Sequence, residues 1–196
     1  MLLKELTENV AIKEVLGEEA EVLSLALNTK NVAKDAMFFA LRGEKFDGND
    51  FIDEAIKAGA VAICTERKPK VMVENVCYII VEDAHAACAI ISSNFYGNPS
   101  SKLKLVGITG TNGKTTVASL SAELMRGLGY KVGLISTVGD KVLGEKTVEI
   151  ESGRTTPTTP DSIVINELLY KMVSQGCSHV FMEVSSHSVV LGRMHG

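Results

Sequence analysis

The sequence predicts an α/β protein, in which a small mixed α/β domain at the N-terminus precedes the first part of a second domain built on a parallel sheet. Aromatic residues make up 5% of the chain and hydrophobic residues 45%, so Val, Ile, Leu and Ala must supply most of the core, as in buried parallel strands. Short apolar runs with polar flanks recur along the chain, which is typical of buried strands. After residue 100 these runs alternate with longer helical patterns, which favours βαβ units.

The first hundred residues predict a mixture of short strands and helices. Residues 1–6 form a short amphipathic helix in this interpretation. Strands are predicted at residues 21–27, 36–41, 61–64 and 77–81, and helices at residues 49–58 and 83–96. Asn49 or Asp50 is the expected cap of the first of these two helices, and Gly59 follows its end.

Gly97-Asn98-Pro99, followed by two serines, is the best candidate for a domain boundary, so we expect domains of residues 1–99 and 100–196. Beyond it, strands are predicted at residues 102–108, 132–136 and 179–184, helices at residues 114–126 and 160–175, and a hairpin arm at residues 142–150. Thr159 is the expected N-cap of the last helix, with Pro160 at its first position.

Composition argues against several classes of function. A formal charge of −4 does not favour a broad nucleic-acid or anionic-membrane surface. No apolar run approaches the ~20 residues of a membrane span, and the N-terminus lacks the regions of a signal peptide. The cysteines are scattered without C-x-x-C spacing, which predicts buried free thiols. We therefore expect a cytoplasmic protein that neither binds nucleic acid nor inserts into a membrane.

The most informative segment lies between the strand at residues 102–108 and the helix at residues 114–126. It reads Gly110-Thr111-Asn112-Gly113-Lys114-Thr115-Thr116. Its glycines let backbone N–H groups turn towards phosphate oxygens, and the helix N-terminus favours an anion. Lys114 can reach the β- and γ-phosphates, and the Thr115 hydroxyl can bind Mg²⁺. The segment predicts binding of ATP with Mg²⁺. The alternative is a glycine-rich turn that binds nothing, and Ile108 does replace the first glycine of the usual G-x-x-x-x-G-K-[ST] pattern.

Three groups of residues resemble the Mur ligases, which build the peptide of the bacterial cell wall. The segment Thr109-Gly110-Thr111-Asn112-Gly113-Lys114-Thr115-Thr116 is similar to their ATP signature, which also lacks a glycine at the place of Ile108. Two further segments resemble the family members that add the third residue of the stem peptide. One is Met182-Glu183-Val184-Ser185-Ser186-His187 with Gly192-Arg193, and the other is Thr155-Thr156-Pro157-Thr158-Thr159-Pro160-Asp161-Ser162. The uridine-binding N-terminal domain is resembled by Phe38-Phe39-Ala40-Leu41-Arg42-Gly43 with Asp47-Gly48 and Phe51-Ile52.

The resemblance implies a role for particular residues. Residues 1–99 would bind the UDP substrate, and residues 100–196 would be an incomplete central domain of the phosphate-loop, parallel-sheet ATPase type. ATP would be held by Gly110, Thr111, Asn112, Gly113, Lys114, Thr115 and Thr116. Lys114 and Glu183 would be catalytic, and Thr115 and Glu183 would bind Mg²⁺. The UDP-muramoyl dipeptide would contact Leu27, Thr29, Thr158, Thr159, Ser185 and Arg193.

Simpler roles remain open for some of these residues. Helix capping is the alternative for Glu183 and for the two threonines at residues 158–159. The family usually has Asp-Ser-Arg where this chain has Asn28-Thr29-Lys30, so the planar fork of an arginine is missing there.

The activity that the resemblance implies is ligation driven by ATP. An acyl phosphate forms on UDP-N-acetylmuramoyl-L-alanyl-D-glutamate, and the amino group of the third amino acid attacks it. The resemblance places further segments after Gly196, so we expect this chain alone to catalyse no ligation. The alternatives are a nucleotide- or UDP-sugar-binding fragment, another ATP-dependent Mur-type amide ligase, and a plain phosphate-loop NTPase. The sequence does not identify the acceptor amino acid.

Overall fold

The computed structural model describes residues 1–43, 46–152 and 158–195, and its chain divides into two compact units. The first unit holds Met1–Phe95 with His195, and the second holds Tyr96–Met194. Each unit has its own five-stranded sheet and its own buried apolar clusters. The structure therefore has the α/β class that the sequence predicts.

The first unit contains five strands, three α-helices and two short 3-10 helices among its described residues. They are α1 Leu3–Leu6, β1 Ile12–Leu16, β2 Ser24–Ala26, the 3-10 helix Thr29–Asn31, β3 Ala36–Phe39, the 3-10 helix Gly48–Phe51, α2 Ile52–Ala58, β4 Ala60–Thr65, β5 Cys77–Val81 and α3 Ala84–Phe95. The sheet order is β1-β5-β4-β3-β2. Strands β2 to β5 pair in parallel, and β1 is antiparallel to β5 at one edge.

The central strands of the first sheet are buried along almost their whole length, as apolar strands covered on both faces are. Phe38, Ile63 and Tyr78 from three adjacent strands form one cluster with Ile52 and Ala55 of α2. These apolar contacts hold α2 against the sheet.

Three features of the first unit differ from what the sequence predicts. Neither Asn49 nor Asp50 caps the helix, because a 3-10 helix precedes α2 and its cap is Asp47, whose side chain accepts the Asn49 N–H at 3.0 Å. Strand β1 was not predicted, since its side chains are mostly exposed and show no apolar alternation. The strand predicted at residues 21–27 is real but shorter, at Ser24–Ala26.

The second unit begins with the 3-10 helix Pro99–Lys102 and continues with the elements β6 Lys104–Ile108, α4 Lys114–Gly127, β7 Val132–Ser136, β8 Gly139–Leu143, β9 Thr147–Glu149, α5 Ser162–Ser174, β10 His179–Glu183 and α6 Ser186–Val190. The sheet order is β6-β10-β7-β8-β9. Strands β6, β10 and β7 are parallel, whereas β8 and β9 extend the sheet as antiparallel hairpins. The predicted arm at residues 142–150 is thus the turn and both flanks of the β8–β9 hairpin.

Helices α4 and α5 cover opposite faces of the second sheet. Ala118 and Ala122 of α4 cluster with Leu134 of β7, whereas Leu168 of α5 clusters with Ile135 of the same strand. Consecutive side chains of a strand point to opposite faces, so the two helices must lie on different sides. Both faces of the parallel strands are therefore covered.

The start of α5 differs from the prediction. Thr159 is not its cap, and Pro160 is not its first residue. The helix begins at Ser162, and the Asp161 side chain is the N-cap, accepting the Val164 N–H at 3.1 Å. The Thr159 hydroxyl is engaged elsewhere, as described below.

All four cysteines are buried free thiols, as predicted. Burial raises the pKa of the Cys64 thiol to about 12. Among the residues that the structure describes, no helix combines the length and the apolar character that a membrane crossing requires.

Candidate functional site

The predicted phosphate loop lies at one edge of the second sheet. Because β6, β10 and β7 are parallel, their C-terminal ends meet at this edge, and Glu183 at the end of β10 pairs with Ile108 at the end of β6. Helix α4 begins directly after the loop, at Lys114. Thr137 follows the end of β7, in the turn to β8. Residues distant in sequence thus come together at one end of the sheet.

The loop has the backbone conformation that its glycines permit. Gly110 has a φ of 149° and Gly113 a φ of 80°, a region in which other residues are strained. Gly113 occupies the N-cap position of α4, so no side chain caps the first N–H groups of this helix. Open N–H groups and the positive end of the helix dipole at an exposed loop form a suitable site for an anion.

Lys114 lies folded over the loop. Its Nζ donates a hydrogen bond to the Gly110 carbonyl oxygen at 2.8 Å. The ammonium group is therefore within the same turn as the open N–H groups, and a flexible lysine side chain can exchange this carbonyl for a phosphate oxygen.

Glu183 is a buried carboxylate, 1% exposed, and hydroxyl and N–H groups hold both of its oxygens. Oε2 accepts a hydrogen bond from the Thr115 hydroxyl at 3.0 Å. Oε1 accepts from the backbone N–H of Thr137 at 3.0 Å and from the Thr137 hydroxyl at 3.2 Å. The two hydroxyl oxygens are 3.1 Å apart. The contact between Thr115 and Glu183 joins the phosphate loop to the end of β10.

The donor chemistry of this cluster fits Mg²⁺. Within the described ranges no salt bridge reaches Glu183, so its buried carboxylate is held by neutral donors alone. The same ranges contain no group of three His, Cys, Asp or Glu side chains suited to a metal. The Glu183 carboxylate and the Thr115 hydroxyl beside a phosphate loop are hard ligands, and Mg²⁺ completes its shell with phosphate oxygens and water.

A second cluster of predicted residues adjoins the end of β10. The Thr159 hydroxyl donates to the Glu183 carbonyl oxygen at 3.0 Å and accepts the Ser185 N–H at 2.9 Å. Arg193 donates from Nη1 to the Thr159 carbonyl oxygen at 2.8 Å. The Ser185 hydroxyl also caps α6, accepting the Ser188 N–H at 3.2 Å. Three of the predicted substrate residues are thus brought together.

The other predicted substrate residues are placed as follows. Thr158 is half-buried, whereas Thr155, Thr156 and Pro157 of the same motif lie outside the described residues. Leu27 is half-buried in the first unit, and the Thr29 hydroxyl there donates to Glu54 Oε1 at 2.7 Å. A contact between these residues and a substrate stays a prediction.

Thr137 is the site residue that the sequence analysis missed. The signal was available, because a polar residue directly after a buried strand of a parallel sheet lies at the same end of the sheet as the phosphate loop. Thr137 follows β7 in this way. The predicted hairpin arm began only at residue 142, and the β7–β8 turn was therefore not considered.

Comparison with known families covers both units of the chain. A model described as "Mur ligase family, catalytic domain" matches residues 21–96, and one described as "Mur ligase middle domain" matches residues 108–196. The first matched segment includes Phe38–Gly43, and the second includes the phosphate loop and Glu183.

Curated relatives match the chain from end to end. The UDP-N-acetylmuramoyl-L-alanyl-D-glutamate--2,6-diaminopimelate ligase of Cytophaga hutchinsonii is 46% identical over 100% of this chain and 40% of its own length. The protein of the same name from Bacteroides fragilis is 43% identical, over 100% of this chain and 39% of its own length. The chain therefore spans about 40% of the length of these relatives.

Solved structures agree with these matches. A structure of UDP-N-acetylmuramoyl-L-alanyl-D-glutamate--2,6-diaminopimelate ligase superposes with a TM-score of 0.71 at 25% identity, over 89% of this chain and 34% of that one. MurF ligase from Thermotoga maritima in complex with ADP superposes with a TM-score of 0.54 at 27% identity, over 83% of this chain and 32% of that one. Family models over both units, curated relatives and shared fold lead to one conclusion: the chain belongs to the Mur ligase family.

Proposed function

We propose that this chain is the UDP-substrate-binding and ATP-binding portion of an ATP-dependent ligase that extends the peptide of a cell-wall precursor. The proposed reaction joins 2,6-diaminopimelate, as the third amino acid, to UDP-N-acetylmuramoyl-L-alanyl-D-glutamate. The curated relatives carry this substrate and this amino acid in their names, which supports the choice. The proposed place of the reaction is the cytoplasm. The 3.0 Å contact between Thr115 and Glu183 carries the proposal, because it unites the phosphate loop with the second family motif.

The proposed role of the loop is to bind and orient the phosphates of ATP. Backbone N–H groups of residues 110–113 and of the first turn of α4, which includes Thr116, would donate to phosphate oxygens. Lys114 would leave the Gly110 carbonyl and place its ammonium group on the β- and γ-phosphates. Transfer of the γ-phosphoryl group to a substrate carboxylate depends mainly on such positioning and charge neutralisation.

Thr115 and Glu183 are the proposed Mg²⁺ ligands. Bound there, Mg²⁺ would neutralise charge on the phosphate oxygens of ATP. Glu183 is suited to this role because its carboxylate is buried beside the loop and is fixed by hydrogen bonds to both oxygens.

The UDP-muramoyl dipeptide is the proposed ligand of the remaining predicted residues. Residues 1–99, with Leu27 and Thr29, would hold the uridine diphosphate part. Thr158, Thr159, Ser185 and Arg193 would contact the rest of the substrate at the second sheet. Support comes from the contacts that Thr159 makes with Ser185 and Arg193, which bring these three residues together.

Calorimetry on the 196-residue chain tests the ATP-binding part of the proposal. ATP with Mg²⁺ should bind the wild-type chain, and Lys114→Ala should weaken binding by about 10- to 100-fold, because a hydrogen-bonded charge on the phosphates is lost. Lys104→Ala is the matched control, since Lys104 is an exposed lysine at the other end of β6. At the rise of a strand, it lies about 13 Å from Ile108, where β6 meets the loop. Equal affinity for wild type and Lys114→Ala would contradict the proposed role of the loop.

A further inference from the structure

We propose that Thr137 is a positioning residue for Glu183: its backbone N–H and its hydroxyl fix the carboxylate in the orientation that binds a divalent cation beside ATP. The inference rests on the proposed function, and it assigns a role to the β7–β8 turn. Thr137 is not itself taken as a catalytic residue, because it acts through the glutamate.

The two hydrogen bonds of Thr137 converge on one oxygen atom. Oε1 of Glu183 accepts the Thr137 N–H at 3.0 Å and the Thr137 hydroxyl at 3.2 Å. The terminal torsion of a glutamate is broad and two-fold, so an unrestrained carboxylate samples many orientations. Two donors on Oε1 remove this freedom and direct Oε2 to the Thr115 hydroxyl, which it meets at 3.0 Å.

The turn that carries Thr137 is itself tightly fixed. Strands β7 and β8 pair up to Ser136 and Gly139, so Thr137 and Val138 form a two-residue hairpin turn. The Ser136 hydroxyl lies in this turn and accepts the Val138 N–H at 3.3 Å. Gly139 has a φ of 111°, which a residue other than glycine rarely adopts. The N–H donor therefore stands at a defined place relative to β10, which pairs with β7 on its other side.

Of the two Thr137 groups that donate to Glu183, the hydroxyl is the one that a substitution can remove. A carboxylate is the stronger acceptor than a neutral hydroxyl, so the Thr137 proton is directed to Oε1 rather than to Thr115 Oγ1, which lies at a similar distance of 3.1 Å. Removing the hydroxyl leaves the backbone N–H in place. The carboxylate stays buried but loses one of the two donors that set its orientation.

Loss of the Thr137 hydroxyl should lower the affinity for Mg²⁺ and leave nucleotide affinity without Mg²⁺ unchanged. Residues that orient a metal ligand typically change metal affinity by about 10- to 100-fold when they are substituted. Because the Thr137 N–H remains, we expect the lower end, about 10-fold. The backbone N–H groups and Lys114 bind the phosphates independently of Thr137, so nucleotide binding without Mg²⁺ should be unchanged.

The experiment is a Mg²⁺ titration of the 196-residue chain with a fluorescent ATP analogue, repeated in EDTA without Mg²⁺. Thr137→Val should raise the Mg²⁺ concentration at half-saturation about 10-fold, while Thr137→Ser, which keeps the hydroxyl, should stay within about twofold of wild type. Thr147→Val is the matched control, an exposed strand threonine in the same unit. Thermal unfolding of each variant shows whether the fold is retained.

The outcomes separate the positioning role of Thr137 from the proposed ATP- and Mg²⁺-binding function. If wild type and Thr137→Val need the same Mg²⁺ concentration for half-saturation, the positioning role is overturned and the proposed function stands. The positioning role is equally overturned if Thr137→Val weakens nucleotide binding to the same extent with and without Mg²⁺. A wild-type chain that binds no nucleotide, or binds it without regard to Mg²⁺, would overturn both.

Discussion

Asp47 fixes the chain where it enters the 3-10 helix before α2. Its Oδ1 accepts the Asn49 N–H at 3.0 Å and the Asn49 side-chain amide at 2.6 Å, and its Oδ2 lies 3.3 Å from Arg67 Nη1. These hydrogen bonds from Asn49, with the charges of Arg67 and Arg42, hold the pKa of Asp47 below its ordinary value of 3.8. One side chain therefore combines a cap with an ion pair.

Asp47→Ala should lower the free energy of unfolding by about 1 kcal/mol at pH 7, the usual cost of a lost cap. A carboxyl whose folded pKa is depressed contributes stability above its unfolded pKa and loses that contribution as the pH falls through the folded pKa. The difference in free energy of unfolding between wild type and Asp47→Ala should therefore be largest at pH 7. It should become smaller as the pH falls below the ordinary pKa of 3.8. Urea denaturation at several pH values measures it.

Asp50→Ala is the matched control, because Asp50 is exposed and was one of the two caps expected from the sequence. It should change the free energy of unfolding by no more than about 0.5 kcal/mol. A larger loss for Asp50→Ala than for Asp47→Ala would show that the cap has been assigned to the wrong residue.

The structure brings together some residues that the sequence analysis linked, and it gives others different partners from those expected. The family resemblance assigns Thr115 and Glu183 to one Mg²⁺ site, and their side chains are in contact. Their role as metal ligands stays a prediction. Thr159 was expected to cap α5, but its hydroxyl contacts Glu183 and Ser185, which are 24 and 26 residues away. Local propensity carries no information about partners so distant in sequence, and Asp161 takes the cap instead.

The helices of the second unit bury their apolar side chains to very different extents. Leu168 of α5 is 1% exposed and belongs to the cluster under the sheet, whereas Leu124 of α4 is 66% exposed. The buried face of α4 is made of small residues, Ala118 and Ala122. The two helices thus offer leucines in opposite environments.

Leu168→Ala should lower the free energy of unfolding by about 2–5 kcal/mol, because it removes buried methyl groups and leaves a cavity. Leu124→Ala, the matched control, should change it by no more than about 0.5 kcal/mol, since little buried area is lost. Chemical denaturation followed by circular dichroism compares the two. Similar losses for both variants would contradict the described burial of α4 and α5.

Element-level predictions followed burial. The strands β5 and β7 have the predicted bounds because each is a continuous run of buried residues between polar breaks. The edge strand β1 could not be found in this way, since pairing with β5 and not an apolar pattern determines it. The β8–β9 hairpin was recognised only in part, because its position depends on antiparallel pairing with β7.

At the scale of the whole molecule, two units with separate cores are joined in one chain. The boundary between the two compact units lies between Phe95 and Tyr96, close to the boundary expected from Gly97-Asn98-Pro99. The assignment of uridine binding to the first unit and ATP binding to the second remains a proposal. The expectation that the chain alone catalyses no ligation also stays a prediction.

A crystal structure of the whole chain with a non-hydrolysable ATP analogue and Mg²⁺ would show whether residues 110–116 hold the phosphates of ATP. We predict that the terminal phosphates lie against the N–H groups of residues 110–113 and that Lys114 Nζ leaves the Gly110 carbonyl, 2.8 Å away in the present structure, for a phosphate oxygen. Mg²⁺ should lie between the phosphates and the side chains of Thr115 and Glu183. A nucleotide bound elsewhere, with Lys114 still on the Gly110 carbonyl, would contradict ATP binding by this loop.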